Sequence, residues 1–217
     1  MRRLTFPHVC MLMPADAATD AKNPVEHAKT TLRERFRSYR TSLSASARDA
    51  ASAVIVRQVL GLPEVQQAAT VHTYWPMVER GEIDTRPLIE KLQAAGTRVV
   101  LPVVTGYPPD PPTMAHRTFA GRGALTPNRW GIPEPLAGDP VPPEALDAVI
   151  VPALGLGRNG HRIGHGAGFY DAFLHDVPAP KVGLTYDACV VSYLPPAPHD
   201  VPLDVIVTES SIFRPAA

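Results

Sequence analysis

Apolar residues recur at steps of three and four through the first patterned segment: Ala28, Leu32, Phe36, Tyr39 and Leu43. That spacing lays one apolar stripe along an α-helix, with Lys29, Arg33, Arg35, Arg37 and Arg40 on its other faces. Asn23-Pro24-Val25-Glu26 offers a cap residue, a proline at the first helical position and a glutamate three after the cap, so the helix is predicted to start near Asn23. A second helix is predicted from about Ser46 to Leu60, stopped by Gly61 and Pro63. Strand and helix signals then alternate. Ala69 to Trp75 reads as a strand, Asp84 to Ala95 as a helix capped by Asp84 with Gly96 past its end, and Thr97 to Val104 as a strand. Pro102 to Pro112 reads as a loop, with weak strand character from Met114 to Phe119. The run Asp147 to Leu154 is continuously apolar after its first residue, as a buried parallel strand requires. A glycine-rich loop covers Gly155 to Gly168, a short helix runs from Tyr170 to about His175, and Lys181 to Tyr186 and Val205 to Thr208 complete the strands. The fold class is therefore α/β: a three-layer α/β/α arrangement, with a mostly parallel Rossmann-like sheet and helices on both faces.

Composition narrows this only slightly. The 217 residues suit a single domain over 26–217, with residues 1–25 as a loose N-terminal tail. Proline, at 25 residues, is the outlier, against a usual share of roughly 5%, and falls between apolar segments as stiff loops would. Lys plus Arg and Asp plus Glu balance at 21 each, which excludes an overall charge suited to nucleic acid or an anionic membrane. Cys10 and Cys189 form no motif and read as bystander thiols. Arg2 and Arg3 before an apolar stretch imitate a signal peptide, but Pro7 and His8 interrupt it. A loose tail, or a start codon placed upstream of Met11 or Met13, is the preferred reading, and the expected location is the cytoplasm.

The stretch Gly160-His161-Arg162-Ile163-Gly164-His165-Gly166-Ala167-Gly168-Phe169-Tyr170-Asp171 carries the most chemistry. Gly164, Gly166 and Gly168 alternate, so backbone amides can approach a ligand with no Cβ between. The helix that follows would aim its free amides at the same place. Arg162 adds a cation able to hold phosphate oxygens, and Asp171 a carboxylate suited to Mg²⁺ beside them. A plain surface loop whose glycines serve only turns is the bland alternative. A dinucleotide fingerprint needs its glycines directly after the strand; here they begin ten residues after Leu154, although Asp187 stands where a ribose-binding acid would. A P-loop is excluded, since no Gly-Lys-Ser/Thr follows.

The segment Val151 to Leu174 resembles the signature of the 5-formyltetrahydrofolate cyclo-ligase family. The resemblance spans roughly residues 27–209 and takes in Lys29-x-x-x-Arg33, Glu82-Ile83-Asp84-Thr85, Trp130-Gly131-Ile132-Pro133-Glu134-Pro135 and His199-Asp200-x-x-x-Asp204. This chain departs from the family pattern at Leu156-Gly157, where Phe-Asp is usual, at Ala167, where glycine is frequent, and at Phe169, where a second tyrosine is usual. The Phe-Asp loss is expected to loosen the loop.

Further roles come from the resemblance. It implies ATP on the loop, contacted by Lys29, Arg33, Arg162, Ile163, Gly164, His165, Gly166, Ala167, Gly168, Phe169 and Tyr170. Lys29 and Arg33, four apart on one helix face, read on their own as a solvated basic face; the family places both at ATP. Trp75, Glu82 and Trp130 are implied at the folate pocket, with His165, Gly166, Gly168, Phe169 and Tyr170 shared. Taken alone, each tryptophan would be packing and Glu82 a turn charge. Arg162, Tyr170 and Asp171 are the implied catalytic set, and Asp171 with Asp200 the implied Mg²⁺ ligands. The eight histidines show no zinc spacing. The expected activity is ATP- and Mg²⁺-dependent closure of 5-formyltetrahydrofolate to 5,10-methenyltetrahydrofolate by a monomer without nucleic-acid or membrane partners. A folate- or nucleotide-binding protein without turnover, and an ATP-dependent ligase or transferase acting on a non-folate substrate, are the alternatives.

Overall fold

In the computed structural model, residues 24–107 and 109–215 are described. Of the tail expected over 1–25, residues up to 23, with the Asn23 cap and Cys10, lie outside them, and residues 24 and 25 belong to α1 rather than to a loose tail because the helix runs Pro24–Ser42. The helices are α1 (Pro24–Ser42), α2 (Ala45–Leu60), α3 (Pro63–Gln66), α4 (Arg86–Ala94) and α5 (Phe169–His175). The strands are β1 (Thr70–His72), β2 (Arg98–Gly106), β3 (Thr113–Thr118), β4 (Thr126–Pro127), β5 (Pro133–Glu134) and β6 (Ala148–Pro152). They continue as β7 (Gly155–Gly157), β8 (Arg162–Ile163), β9 (Lys181–Leu184), β10 (Val190–Val191), β11 (Val205–Val207) and β12 (Ile212–Phe213).

Seven strands form the main sheet in the order β12-β11-β9-β6-β1-β2-β3. The five inner strands are parallel to their neighbours, and β3 and β12 close the edges antiparallel. The strand period of two sorts the core cleanly. Val71, Val99, Leu101, Ala148, Ile150, Val182 and Val205 face one layer with Phe36, Ile55, Val59, Val65, Leu88 and Leu92 from α1 to α4. Val100, Val149, Val151 and Ile206 face the other, with Phe173 and Leu174 from α5. That second face is thinly helical: α5 shares it with loop residues such as Val141, Leu146 and Leu203.

Several boundaries differ from the sequence expectation, for identifiable reasons. α2 begins at Ala45, just before the expected Ser46, because Ser44 caps it by accepting from the Ala47 amide at 3.1 Å. Asp84 does not cap α4; Thr85 holds that position, and the Asp84 carboxylate instead takes the Arg86 amide at 3.0 Å and its guanidinium at 2.7 Å. The expected loop at Pro102 is strand, because β2 continues through it to Gly106 as β3 pairs alongside. Arg40, expected on a polar face, is 3% exposed, donates to the Ala153 carbonyl and lies 5.9 Å over the Tyr186 ring. A stripe analysis assigns charges outward by default, so it misses an arginine used as an internal strut.

Beneath α5, His72 and His116 sit buried in the sheet with Nε2 and Nδ1 3.2 Å apart. The His116 ring stacks on Phe173 at 3.9 Å, which ties α5 to the sheet. Burial pulls both imidazoles down, His116 to about 4 and His72 well below its ordinary value, the latter also through the His116 charge. An unfolded chain binds such a proton more readily, so stability is fully present above pH 6.5 and falls as pH drops toward 4. His116 alone should remove about 3 kcal/mol across that window. Urea unfolding near neutral pH and near pH 4 measures it: His116→Leu should flatten this part of the slope, and an unchanged slope would refute the assignment.

Candidate functional site

In the parallel core, the chain moves from β1 outward to β2 on one side and from β6 outward to β9 on the other. The crevice past the carboxyl ends of β1 and β6 is therefore a topological switch point, where open α/β sheets place ligands. A cavity of about 630 Å³ lies there, walled by Tyr74 and Trp75 after β1 and by Pro152, Ala153 and Leu154 at the end of β6. Every sequence-predicted site residue lines it: Lys29, Arg33, Trp75, Glu82, Trp130, the run Arg162 to Asp171, and Asp200. Asp187, the imitation ribose acid, does not.

The glycine segment is positioned by a small second sheet in which β7 pairs antiparallel with β8 and parallel with β10. Gly166 and Gly168 adopt φ of 98° and 77°, left-handed backbone that favours glycine. Gly164 differs: its φ is ordinary and a Cβ there would meet nothing within 4 Å. Neither backbone nor packing requires glycine at 164, and Gly164 lines the cavity.

Leu156-Gly157, the departure expected to loosen this segment, has a local replacement. A Cβ at 157 would stand 2.2 Å from the Asn159 Oδ1, so the Asn159 side chain occupies that space. It donates to the Leu194 carbonyl at 2.8 Å and accepts from the Leu194 amide at 3.1 Å, clasping the β7–β8 turn to the chain after β10. Asn159→Ala should cost about 1–3 kcal/mol by leaving both Leu194 groups unpaired. A denaturation midpoint unmoved by that change would remove the clasp from the account.

The charges in the cavity are arranged in pairs. Lys29 Nζ donates to Asp200 Oδ2 at 2.5 Å, both side chains being 6% exposed. Burial would raise the Asp200 carboxyl, but the Ala197 amide and Lys29 outweigh it and hold the group below its ordinary value. Arg162 donates to Asp171 Oδ1 at 2.6 Å and to the Val201 carbonyl at 3.3 Å. Burial pulls its guanidinium down from its ordinary value, opposed by Asp171 and Asp200. Arg33 reaches Glu26 at 2.9 Å while its Nε is buried without a partner, and its guanidinium lies beside Gly166.

A second group faces the cavity from the chain after β1 and from α5. Glu82, 4% exposed, accepts from the Met77 amide at 2.8 Å and meets His165 Nε2 at 3.3 Å. The Tyr170 hydroxyl is buried and has no hydrogen-bond partner, and burial, with the Glu82 charge, raises it well above its ordinary value. Trp75 packs its ring 5.8 Å from Phe119, under the Arg122 guanidinium at 5.7 Å.

Sequence reasoning passed over Glu134. It is 4% exposed, lines the cavity, and accepts at Oε1 from the Val104 amide and from Asn128 Nδ2. Asn128 in turn accepts from the Trp130 and Ile132 amides, so one buried carboxylate ties the Trp130 loop to β2. The motif around Trp130 contained Glu134, but nothing local to it shows the amides it accepts from.

Among the described residues no cluster of three or more His, Cys, Asp or Glu is placed to hold a metal. Asp171 and Asp200 both face the cavity. Two carboxylates suit an oxygen-preferring Mg²⁺ that completes its shell with phosphate and water, and do not suit zinc or an all-protein calcium cage. No helix among the described residues is long and apolar enough to cross a membrane.

Comparison with known proteins gives consistent matches. The profile of the 5-formyltetrahydrofolate cyclo-ligase family matches residues 25–209. The 5-formyltetrahydrofolate cyclo-ligase of Escherichia coli K12 is 36% identical over 165 residues, covering 69% of this chain and 90% of that protein. The solution structure of Aquifex aeolicus 5,10-methenyltetrahydrofolate synthetase superposes with a TM-score of 0.76 at 32% identity, over 86% of this chain and 92% of its own. A Mycoplasma pneumoniae 5,10-methenyltetrahydrofolate synthetase shares the fold with a TM-score of 0.67 at 23% identity, over 83% of this chain and 98% of its own.

Proposed function

The chain belongs to the 5-formyltetrahydrofolate cyclo-ligase family, and from that premise we propose that its switch-point cavity closes 5-formyltetrahydrofolate to 5,10-methenyltetrahydrofolate with ATP. The observation that carries this is convergence: the glycine segment, three cations, two carboxylates and an aromatic–acid group all line one cavity.

ATP lies along the glycine segment, where open space at Gly164 admits the phosphates. Lys29, Arg33 and Arg162 hold the phosphate oxygens, exchanging carboxylate partners for phosphate as the nucleotide enters. Asp171 and Asp200 are the residues that would hold Mg²⁺. Bound there, the ion would offset charge on the transferring phosphoryl group. The pterin lies by Trp75, with Glu82 on its amine and amide edge and the Tyr170 hydroxyl finding in it the partner it lacks. The formyl oxygen attacks the γ-phosphorus and ADP departs, which converts a poor leaving oxygen into phosphate. N10 then attacks the formyl carbon, inorganic phosphate leaves, and N10 loses its proton as the methenyl bridge forms. The protein supplies position and charge rather than a nucleophile, as phosphoryl transfer requires. We also assign the reaction to a monomer in the cytoplasm.

The route is tested by ¹⁸O in the formyl group. The label should appear in the released phosphate with one ADP per closure; label retained outside phosphate would overturn the sequence of steps.

A further inference from the structure

Beside the hairpin wall of the cavity, next to the lining residue Trp130, stands a cation that phosphate binding leaves unused. Lys29, Arg33 and Arg162 come from α1 and β8, the side of the crevice that follows β6. The β4–β5 hairpin lies opposite: the buried Glu134 carboxylate ties it to β2, and its residues Trp130, Ile132, Pro133 and Glu134 form that wall. Arg129, next to Trp130, holds its guanidinium carbon 5.1 Å from the Trp130 ring centroid and 4.8 Å from that of Tyr107. The two rings meet edge to face at 4.7 Å. Among the described residues Arg129 has no ion pair and no side-chain hydrogen bond. The three separations are nearly equal, so both rings lie on one side of the guanidinium and restrict it without taking up its N–H groups. Exposed arginines usually spend conformational freedom to meet a carboxylate; this one is already held.

From this we infer that Arg129, held against Tyr107 and Trp130, receives the carboxylate at the glutamate end of the folate, and is a specificity-determining residue beside the cavity. The inference rests on the folate reading above. With the pterin inside by Trp75, Glu82 and Tyr170, the rest of the molecule extends to the rim, and the wall away from the phosphates is the Trp130 hairpin. An aminobenzoyl ring suits the Trp130 face, and a carboxylate suits the in-plane N–H pair of Arg129.

The test compares 5-formyltetrahydrofolate with 5-formyltetrahydropteroate, which lacks the glutamate, on the wild type and Arg129→Ala. In the wild type, KM should be about tenfold lower for the glutamate-bearing substrate. In Arg129→Ala the two KM values should converge while KM for ATP stays put. Equal discrimination by both proteins, or a change confined to ATP, would overturn the assignment. Arg129→Lys separates charge from grip: it keeps the cation and should recover only part of the discrimination. Quenching of tryptophan fluorescence by N-(4-aminobenzoyl)glutamate gives a readout independent of turnover and should weaken in Arg129→Ala. Absence of closure by the wild type with either substrate would instead strike the folate reading, so the two failures are distinguishable.

Discussion

Arg162→Ala is expected to lower ATP-dependent closure by about 10²–10³-fold, the usual cost of removing one preorganised donor from a transferring group. The side chain is 4% exposed and ties Asp171 to the Val201 carbonyl, so it orients one proposed metal carboxylate while contributing its own charge. Removing it also leaves Asp171 without its cation, so folding is checked by circular dichroism and urea unfolding. Asp171→Asn provides the second arm: it keeps the shape, removes the carboxylate charge, and should also reduce turnover strongly. Folded protein with unchanged turnover in both variants would dismiss the glycine-segment assignment.

Breaking the Lys29–Asp200 pair from either side is expected to cost about 3–5 kcal/mol, because each partner would be stranded in a site where only 6% of its side chain is exposed. Lys29→Met strands a carboxylate, whereas the Lys29→Met, Asp200→Leu double variant removes both charges and should recover much of the loss. The acid side gives an independent check. Asp200 is held below its ordinary value of 3.8, so its contribution is present above that pH and is lost as pH falls through the lower folded value. Lys29→Met should shrink that acid-side loss. Single variants within about 1 kcal/mol of wild type would show the pair to be an ordinary surface bridge.

Much of this was legible in the sequence because it rests on local periodicity. The α1 stripe, the alternation of strands and helices and the continuous apolar run of β6 each follow from side-chain period, and each stands in the structure. The glycine segment was legible because glycine alternation has few other uses. What escaped depended on contacts far apart in the chain. Arg40 looked outward until Ala153 and Tyr186, more than a hundred residues on, supplied its partners. Glu134 was given no role because Val104 and Asn128 become its donors only once β5 docks on β2. Asn159 showed no signal, since its role follows from the space left at Gly157. The His72–His116 pair is a meeting of β1 and β3 across β2 that no pattern in either segment announces.

The most direct test of the central claim is the absorbance of 5,10-methenyltetrahydrofolate, followed with purified protein, 5-formyltetrahydrofolate, Mg²⁺ and ATP. The account predicts a rise that requires ATP and is matched by ADP release. No rise, with ATP binding intact, would contradict it and leave a binding protein or an enzyme for a different substrate.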